Sequence, residues 1–288
     1  MKPATFEYHR AYSVDETVEL LTELGEDAKI IAGGQSLAPM MNFRLARPSA
    51  LVDVNPIRGL DHVVRDGDTL RIGALTRHRA VETTPDLGVH DGFGVLPRAA
   101  RWIGHYPIRC RGTVGGSIAH SDPTAEWCLL ASLYDASVVL QGPSGTREVA
   151  AADWFTGFLT TSGKPDEMLV ETRFTNPRSH GALTEYARRK GDFAIAAVGV
   201  AFDVVNGGFR NVGIVLGGVS SEPFRATEAE AILEGAPATP ETWAEAARSA
   251  AAAVDPPSDL NGDAAYRKRL VETLTTRAFA EAMTVGVR

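Results

Sequence analysis

Two apolar runs joined by a glycine turn constrain the fold of this chain more than any other feature. Residues 194–205 and 209–219 have the composition of strands, and Asn206-Gly207-Gly208 lies between them. An Asn-Gly turn tolerates the positive φ angles that a two-residue hairpin loop requires. The pair therefore predicts an antiparallel hairpin in the C-terminal part of the chain.

Helix signals follow the hairpin. Thr227 opens one helix, Thr239 is expected to cap a second with Pro240 at its first position, and a third runs from about Asp263 to Met283. The C-terminal part should therefore be a small antiparallel sheet covered by helices.

A polar stretch separates this part from the rest of the chain. It runs from Thr175 to Gly181 and contains the dipeptide Asn176-Pro177. At about 150 residues per domain, a chain of this length is expected to form two domains. We therefore predict one domain at residues 1–176 and a second at residues 177–288.

The N-terminal domain shows short, mixed elements. Ser13 and Glu16 form a capping box that opens a helix, and Gly25 is placed to end it. A helix is also expected over about residues 95–103, and another over residues 124–133, with Pro123 in its first turn. Strands are expected at residues 29–32, 51–54, 69–73 and 137–140.

Charge and cysteine content exclude several classes of protein. The net charge is −7, which disfavours nucleic acid as a partner, and no run of 18 apolar residues predicts a membrane span. The N-terminus lacks the apolar segment of a signal peptide, so a cytoplasmic location is expected. Cys110 and Cys128 are too few to ligate an iron–sulfur cluster, and no histidine spacing fits zinc, so no metal is expected in this chain.

The common nucleotide motifs are also absent. Residues 92–97 begin like a dinucleotide fingerprint but end in Pro97, and no strand precedes them. Residues 157–165 have the wrong glycine spacing for a phosphate loop, and Pro165 replaces the Ser or Thr that would bind Mg²⁺.

Two Gly-Gly segments remain as candidate binding elements. In the first, a buried strand runs directly into Gly33-Gly34-Gln35-Ser36, where successive amides can form an anion-binding nest. The second is Thr113-Val114-Gly115-Gly116-Ser117, read as a loop in which Gly115 and Gly116 let a ligand lie against the backbone. Asp122 and Glu126 follow and can accept hydrogen bonds from sugar hydroxyls. Each segment alone is typical of an ordinary turn, but together they fit a ligand with two phosphates and a polyol, a class that includes FAD.

These segments resemble the two FAD loops of the FAD-binding subunit of molybdenum hydroxylases. That family includes the medium subunit of aerobic carbon monoxide dehydrogenase and the flavin domain of xanthine dehydrogenase. Further similar motifs are Phe6–Ala11, Asn42–Pro48, Gly73–Thr76, Arg188–Ala194 and Tyr266–Leu270. The resemblance covers nearly the whole chain. It implies an α+β fold with a two-part FAD-binding domain of the vanillyl-alcohol oxidase (PCMH) type, divided at about residues 1–56 and 57–176, before the C-terminal domain.

The resemblance also implies the cofactor contacts. It places both Gly-Gly segments along the pyrophosphate and ribityl chain of FAD. Ile103 and Leu169 are expected beside the isoalloxazine, and Glu126 matches an acidic residue that binds FAD. The full set of expected contacts is Ile30, Ile31, Ala32, Gly33, Gly34, Gln35, Ser36, Leu37, Thr76, Ile103, Thr113, Gly115, Gly116, Ser117, Asp122, Glu126, Leu169 and Phe193.

Two positions depart from the family pattern. Many relatives have a lysine near the flavin where Glu185 is the nearest counterpart, and Phe193 replaces a residue that is often Tyr or Ile. Phe193 is expected either to cover the flavin or to be an ordinary core residue at the start of a strand. Arg109 and Arg111 are expected either to support a phosphate or a partner, or to have a solvated or core-bridging role.

The function implied by the resemblance is electron transfer. A large subunit with molybdopterin and a small subunit with two [2Fe–2S] clusters are the expected partners, as a dimer of heterotrimers, and FAD in this chain passes electrons to an external acceptor. No residue of this chain is expected to be a catalytic acid or base. Two alternatives stay open: a stand-alone flavin oxidase or dehydrogenase of the same fold class, and a binding module without redox chemistry.

Overall fold

The computed structural model describes residues 2–84 and 92–285. The described helices, in chain order, are α1 Val14–Leu24, α2 Leu37–Asn42, α3 His78–Glu82, α4 Val95–Ala99, α5 Tyr106–Arg111, α6 Val114–His120, α7 Glu126–Leu133, α8 Ala151–Trp154, α9 Thr227–Leu233, α10 Pro240–Ala253 and α11 Ala264–Val285. The described strands are β1 Glu7–Arg10, β2 Ala28–Ile31, β3 Ala50–Asp53, β4 Val63–Asp66, β5 Thr69–Gly73, β6 Ser137–Gly142, β7 Gly145–Ala150, β8 Phe155–Gly157, β9 Thr160–Thr161, β10 Met168–Phe174, β11 His180–Tyr186, β12 Ala196–Val205, β13 Gly208–Gly217 and β14 Phe224–Arg225.

The first strands form a small parallel sheet in the order β1-β3-β2. Helix α1 makes the crossover from β1 to β2 and buries Leu21 against Ala28 and Val52. The capping box forms as expected, because the Ser13 hydroxyl accepts from the Glu16 amide at 3.1 Å and the Glu16 carboxylate accepts from the Tyr12 amide at 2.7 Å. This sheet directs the carboxyl end of β2 into the first Gly-Gly segment.

The second sheet is antiparallel, with the strand order β4-β5-β10-β6-β7. Helices α4, α6 and α7 contribute buried side chains to the core beside it, which includes Trp127, Phe93 and Phe174. The short hairpin of β8 and β9 follows α8. The glycine-rich residues 157–165, rejected above as a phosphate loop, therefore include one strand of a hairpin.

The third sheet contains the hairpin predicted from Asn206-Gly207-Gly208, in the order β11-β12-β13-β14. Asn206 and Gly207 have φ angles of 52° and 77°, as a tight hairpin turn requires. Residues of β12 alternate between two cores: Ala197 and Ala201 face the second sheet's helices, whereas Val198 and Val200 face α10 and α11. Burial of both faces explains why this strand has an uninterrupted apolar sequence.

Several local expectations need correction. Helix α4 ends at Ala99 rather than near residue 103, and Gly104 has a φ of 45°, which a helix does not continue through. Pro123 precedes α7 rather than forming its first turn, because Ala125 is the N-cap. Thr239 occupies the N-cap of α10 but its hydroxyl contacts the Thr242 hydroxyl rather than a helix amide.

Within the described residues, no helix has the length and apolar character needed to cross a membrane.

A buried carboxylate joins the strands of the second sheet. Glu171 on β10 is 5% exposed and accepts hydrogen bonds from Arg71, Arg173 and His62. Burial raises the pKa of Glu171, but the hydrogen bonds from these three side chains outweigh that effect and lower the pKa to about 2. The ionised form therefore stabilises the fold at all pH values above the ordinary carboxyl pKa.

Glu171→Gln should lower the free energy of unfolding by about 3 kcal/mol at pH 7, because the arginines lose their buried carboxylate. The deficit should shrink as the pH falls from 4.5 towards 2, where the wild-type carboxylate becomes protonated. Denaturant unfolding at pH 7 and pH 3 measures both values. Glu148→Gln removes the more exposed partner of Arg173 and serves as the control, with an expected loss below about 1 kcal/mol. An equal deficit at both pH values would contradict this account of Glu171.

Candidate functional site

One cavity of about 760 Å³ lies between the parallel sheet and the second sheet's helices, and it extends to the start of β12. This volume is in the range of small-molecule and cofactor sites. Both Gly-Gly segments line it, and so does every other residue expected to contact FAD except Thr76. The fold thus brings together residues that are up to 163 positions apart in the sequence, from Ile30 to Phe193.

The first Gly-Gly segment provides a group of free donors. It follows β2, and Gly34 has a φ of 69°, which turns the backbone sharply before α2. Among the described residues, the amides of Gly33, Gly34, Gln35 and Ser36 have no hydrogen-bond acceptor. Consecutive unpaired amides on a concave surface are a nest for an anion. The segment therefore fits the diphosphate of a dinucleotide.

Gly33 also makes a close contact within the protein. A Cβ atom on Gly33 would lie 2.5 Å from the Arg111 carbonyl oxygen and 2.7 Å from the Gly112 Cα atom. Both are backbone atoms that cannot move aside independently. The missing side chain at Gly33 thus allows the first segment to touch the chain that leads into the second segment.

The second Gly-Gly segment is a helix, not the loop that its composition predicts. Thr113 is the N-cap of α6, and its hydroxyl accepts from the Gly116 amide at 3.1 Å. The amides of Val114, Gly115 and Ser117 donate to Thr76, Ala74 and Thr113 carbonyl oxygens. Unlike the first segment, this one has its four successive amides from Val114 to Ser117 paired within the protein.

The two glycines of α6 have different roles. A Cβ atom on Gly115 would lie 2.6 Å from the Ala74 Cβ atom and 2.7 Å from its Cα atom, so Gly115 serves close packing of the helix on β5. The missing side chain at Gly115 is therefore required for packing on β5, and because Gly115 also lines the cavity, its expected contact with FAD stays a prediction. Gly116 is exposed, and Gly116 and Ser117 border the cavity. A large side chain at Gly33 or Gly115 would collide with the protein itself before it reached a ligand.

Thr76 does not border the cavity. It is fully buried, and its hydroxyl donates to the His62 carbonyl oxygen at 3.0 Å. Its carbonyl oxygen accepts from the Val114 amide at 2.9 Å, so Thr76 stabilises the first turn of α6. The structure thus gives Thr76 a structural role in place of the expected cofactor contact.

Apolar side chains form another part of the wall. Ile103 and Leu169 are each 8% exposed and line the cavity. Phe193 also lines it but is 74% exposed, which excludes the core role considered for this residue. An aromatic side chain with this exposure at the edge of a cavity is available to cover a bound ring.

His78 is a cavity residue that the sequence did not reveal. Its Nδ1 atom accepts from the Trp127 indole N–H at 2.9 Å, so the neutral ring has its proton on Nε2. Burial, with added effects of Arg77 and Arg109, lowers the pKa of His78 to about 3. His78 is therefore neutral throughout the physiological range and can only present an N–H donor to the cavity. The contact with Trp127 joins residues 49 positions apart, which no local pattern indicates.

Comparison with known proteins identifies the family. The FAD binding domain in molybdopterin dehydrogenase matches residues 4–176, and the CO dehydrogenase flavoprotein C-terminal domain matches residues 181–282. The chain belongs to the FAD-binding medium subunits of molybdenum hydroxylases. It is an oxidoreductase subunit, and FAD is the cofactor of its N-terminal domain.

Individual relatives agree along almost the full length. The 6-hydroxypseudooxynicotine dehydrogenase complex subunit alpha of Paenarthrobacter nicotinovorans is 40% identical, over 98% of this chain and 96% of that protein. The carbon monoxide dehydrogenase medium chain of Hydrogenophaga pseudoflava is 36% identical, over 96% of this chain and 97% of that protein. A solved structure of carbon monoxide dehydrogenase from Hydrogenophaga pseudoflava, in a form that lacks the Mo-pyranopterin moiety, superimposes with a TM-score of 0.94 at 37% identity and covers 99% of both chains.

In this flavin subunit, two carboxyl groups lie near each other at the acidic side of the site. Burial raises the pKa of Glu126 to about 8, and the charges of Glu185 and Asp122 add to the effect. Burial raises the pKa of Glu185 to about 7. Glu126 and Asp122 both line the cavity, and one Asp122 carboxylate oxygen accepts from the Thr124 amide at 2.8 Å and the Thr124 hydroxyl at 2.7 Å. At neutral pH a protonated Glu126 can donate a hydrogen bond as well as accept one.

Of the two arginines near the site, Arg109 has the core-bridging role, whereas the role of the Arg111 side chain toward a phosphate or a partner stays a prediction. Arg109 pairs with Glu82 at 2.9 Å and donates to the carbonyl oxygens of Ile103 and Gly104. It bridges the core beneath the cavity. The side chain of Arg111 is exposed, and the structure uses its carbonyl oxygen instead.

The carboxyl pair makes stability depend on pH. Because the pKa values of Glu126 and Glu185 are higher in the folded state than the ordinary 4.5, the folded state binds more protons, and stability should fall as the pH rises from about 5 to 8. Glu185→Gln should flatten this decline, since the neutral amide removes one member of the pair. Melting temperatures of the cofactor-free protein between pH 5 and 8.5 measure the effect.

Glu272→Gln is the control for this experiment, because Glu272 is exposed on α11. It should leave the wild-type dependence on pH unchanged. A Glu185→Gln protein with the same dependence as wild type would show that the pair does not titrate in this range.

Proposed function

We propose that this chain passes electrons from [2Fe–2S] clusters of a partner subunit, through FAD bound in the cavity, to an external acceptor. The observation that carries the proposal is the group of four free amides from Gly33 to Ser36 at one end of a cavity of about 760 Å³. Bound FAD supplies the exchange between one-electron and two-electron carriers, and the protein supplies position, polarity and access.

The side chains around the cavity support a division of roles. The amides of residues 33–36 would hold the diphosphate, Ser117 and Glu126 would hold polar parts of the cofactor, and Ile103 and Leu169 would hold the ring system. Phe193 would limit the access of solvent to that ring. No residue is required to act as an acid or base on a substrate.

The expected partners are a large molybdopterin subunit and a small iron–sulfur subunit, assembled in the cytoplasm as a dimer of heterotrimers. The printed names of the relatives support a multi-subunit assembly, because they describe a complex subunit and a medium chain. We further propose domains at residues 1–176 and 177–288, which the two family matches support, with subdomains of the first at about 1–56 and 57–176.

A stand-alone flavin oxidase with its flavin attached to a cysteine has weaker support. Such enzymes often attach the flavin covalently to Cys or His. Cys128 is buried, and burial raises the pKa of its thiol, while Cys110 is exposed and does not line the cavity. Neither cysteine is thus placed as an attachment point.

The purified chain should be yellow and should release FAD on acid precipitation. It should contain no stoichiometric iron or molybdenum, because two cysteines cannot ligate an iron–sulfur cluster. Absorbance of the supernatant, chromatography of the released flavin and metal analysis measure this. Mixing with reduced iron–sulfur partner should then bleach the flavin absorbance. Flavin that stays with the precipitate, or iron in the separated chain, would contradict the subunit assignment.

Phe193→Ala should leave FAD bound but change flavin fluorescence and the rate of reoxidation by oxygen, because the ring loses its cover. Since Phe193 is 74% exposed, the free energy of unfolding should change by no more than about 0.5 kcal/mol. Phe158→Ala is the matched control, because Phe158 is 63% exposed and does not line the cavity. Identical flavin reactivity in both variants would exclude the covering role.

A further inference from the structure

Arg77 connects the two halves of the cofactor site. It lies at the N-cap of α3, between the second sheet and the start of α6, and its backbone pairs with Thr113 as an isolated bridge. One terminal nitrogen of its guanidinium donates to the Asn55 side-chain oxygen at 2.7 Å. The other donates to the Arg111 carbonyl oxygen, the same atom that Gly33 approaches.

Asn55 extends this connection to the first Gly-Gly segment. Its side-chain nitrogen donates to the Ala32 carbonyl oxygen at 2.8 Å and to Asp53 at 2.6 Å. The Asn55 side chain therefore links Arg77 to Ala32, and the Arg111 carbonyl oxygen links Arg77 to the backbone that Gly33 contacts. These contacts fix the separation between the free amides of residues 33–36 and the start of α6.

No direct ion pair neutralises the Arg77 guanidinium among the described residues. In the described part of the chain, no carboxylate lies within ion-pair distance of its guanidinium. The side chain is half-buried, and burial together with the nearby Arg111 charge lowers the pKa of Arg77. An arginine still remains charged at neutral pH. The charges of Asp53 and Asp61 act on Arg77 without a direct ion pair and partly offset this lowering of the pKa. A partly desolvated cation without a direct ion pair, linked through Asn55 to the segment with four free amides, favours a bound anion.

We propose that Arg77 is the positioning residue of the FAD site, fixing the spacing of the two Gly-Gly segments and supplying the positive charge that the cofactor's diphosphate neutralises. Arg77 does not line the cavity, so it acts through Asn55, the Arg111 carbonyl oxygen and its electric field rather than by direct contact. This proposal rests on the FAD site described above.

The test compares FAD binding to cofactor-free wild type, Arg77→Met, Arg77→Lys and the control Arg248→Met. Arg248 is an exposed residue of α10 in the C-terminal domain, so its replacement makes the same change in net charge away from the site. Kd values for FAD and riboflavin are measured by fluorescence titration at several salt concentrations. Riboflavin lacks phosphates and reports on the ring site alone.

Arg77→Met should raise the Kd for FAD by about 30-fold, as expected for the loss of charge-assisted interactions, and should reduce its dependence on salt. Arg77→Lys should restore the salt dependence but only part of the affinity, because an ammonium group cannot bridge two acceptors in fixed geometry. Riboflavin binding to Arg77→Met and all binding to Arg248→Met should match wild type.

Two results would overturn the proposal: FAD binding by Arg77→Met within about twofold of wild type, or a wild-type salt dependence in that variant. If Arg77→Met does not fold, as judged by circular dichroism, Asn55→Ala replaces it. That variant keeps the guanidinium but breaks its link to Ala32, so it should weaken FAD binding while keeping the wild-type salt dependence; unchanged FAD affinity would refute the positioning role. A wild-type protein that binds no FAD would instead refute the proposed function.

Discussion

The contact of Gly33 with the Arg111–Gly112 backbone is the constraint on which the whole site depends. Gly33 follows β2 of the parallel sheet and Arg111 ends α5, so the site requires both parts of the chain. A Cβ atom at Gly33 would lie 2.5 Å from the Arg111 carbonyl oxygen, so the contact tolerates no side chain. The cavity is therefore a consequence of how two separately hydrogen-bonded units are joined, and the Asp53–Asn55–Arg77 contacts secure that joint.

The site combines two kinds of polar group. The first segment carries free amides and is linked to Arg77, whereas Glu126 and Asp122 line the cavity as acidic groups and the charge of Glu185 acts on Glu126. The Arg77 guanidinium and the Glu126 carboxyl are each removed at least partly from water, which costs free energy in the empty protein. A ligand that brings an anion to the amides and hydrogen-bonding groups to Glu126 reduces both penalties. Cofactor binding and stability of the fold are therefore coupled by mass action.

Local signals were enough to predict the hairpin at Asn206, the capping box of α1, and the strand that runs into Gly33. Each of these depends on residues within a few positions of one another. The second Gly-Gly segment was read wrongly because glycine disfavours helix by about 1 kcal/mol per residue. Here tertiary contacts override that preference: the Val114 and Gly115 amides bond to Thr76 and Ala74, and Thr113 caps the helix. The resemblance assigns this segment to the FAD site, and the segment lines the cavity, although its predicted conformation was wrong.

The arginines show why the charged part of the site could not be derived from the sequence. Arg109 and Arg111 stand in a glycine-rich stretch, which is compatible with phosphate binding, whereas no local pattern distinguishes Arg77. In the fold, Glu82 neutralises Arg109, from 27 positions away, and Arg111 contributes a carbonyl oxygen. Arg77 alone of the three combines partial burial, no ion-paired carboxylate in the described residues, a backbone bridge to Thr113 of the second segment and a link through Asn55 to the first. The role of an arginine depends on whether it forms an ion pair with a carboxylate, and tertiary contacts rather than neighbours in the chain decide this.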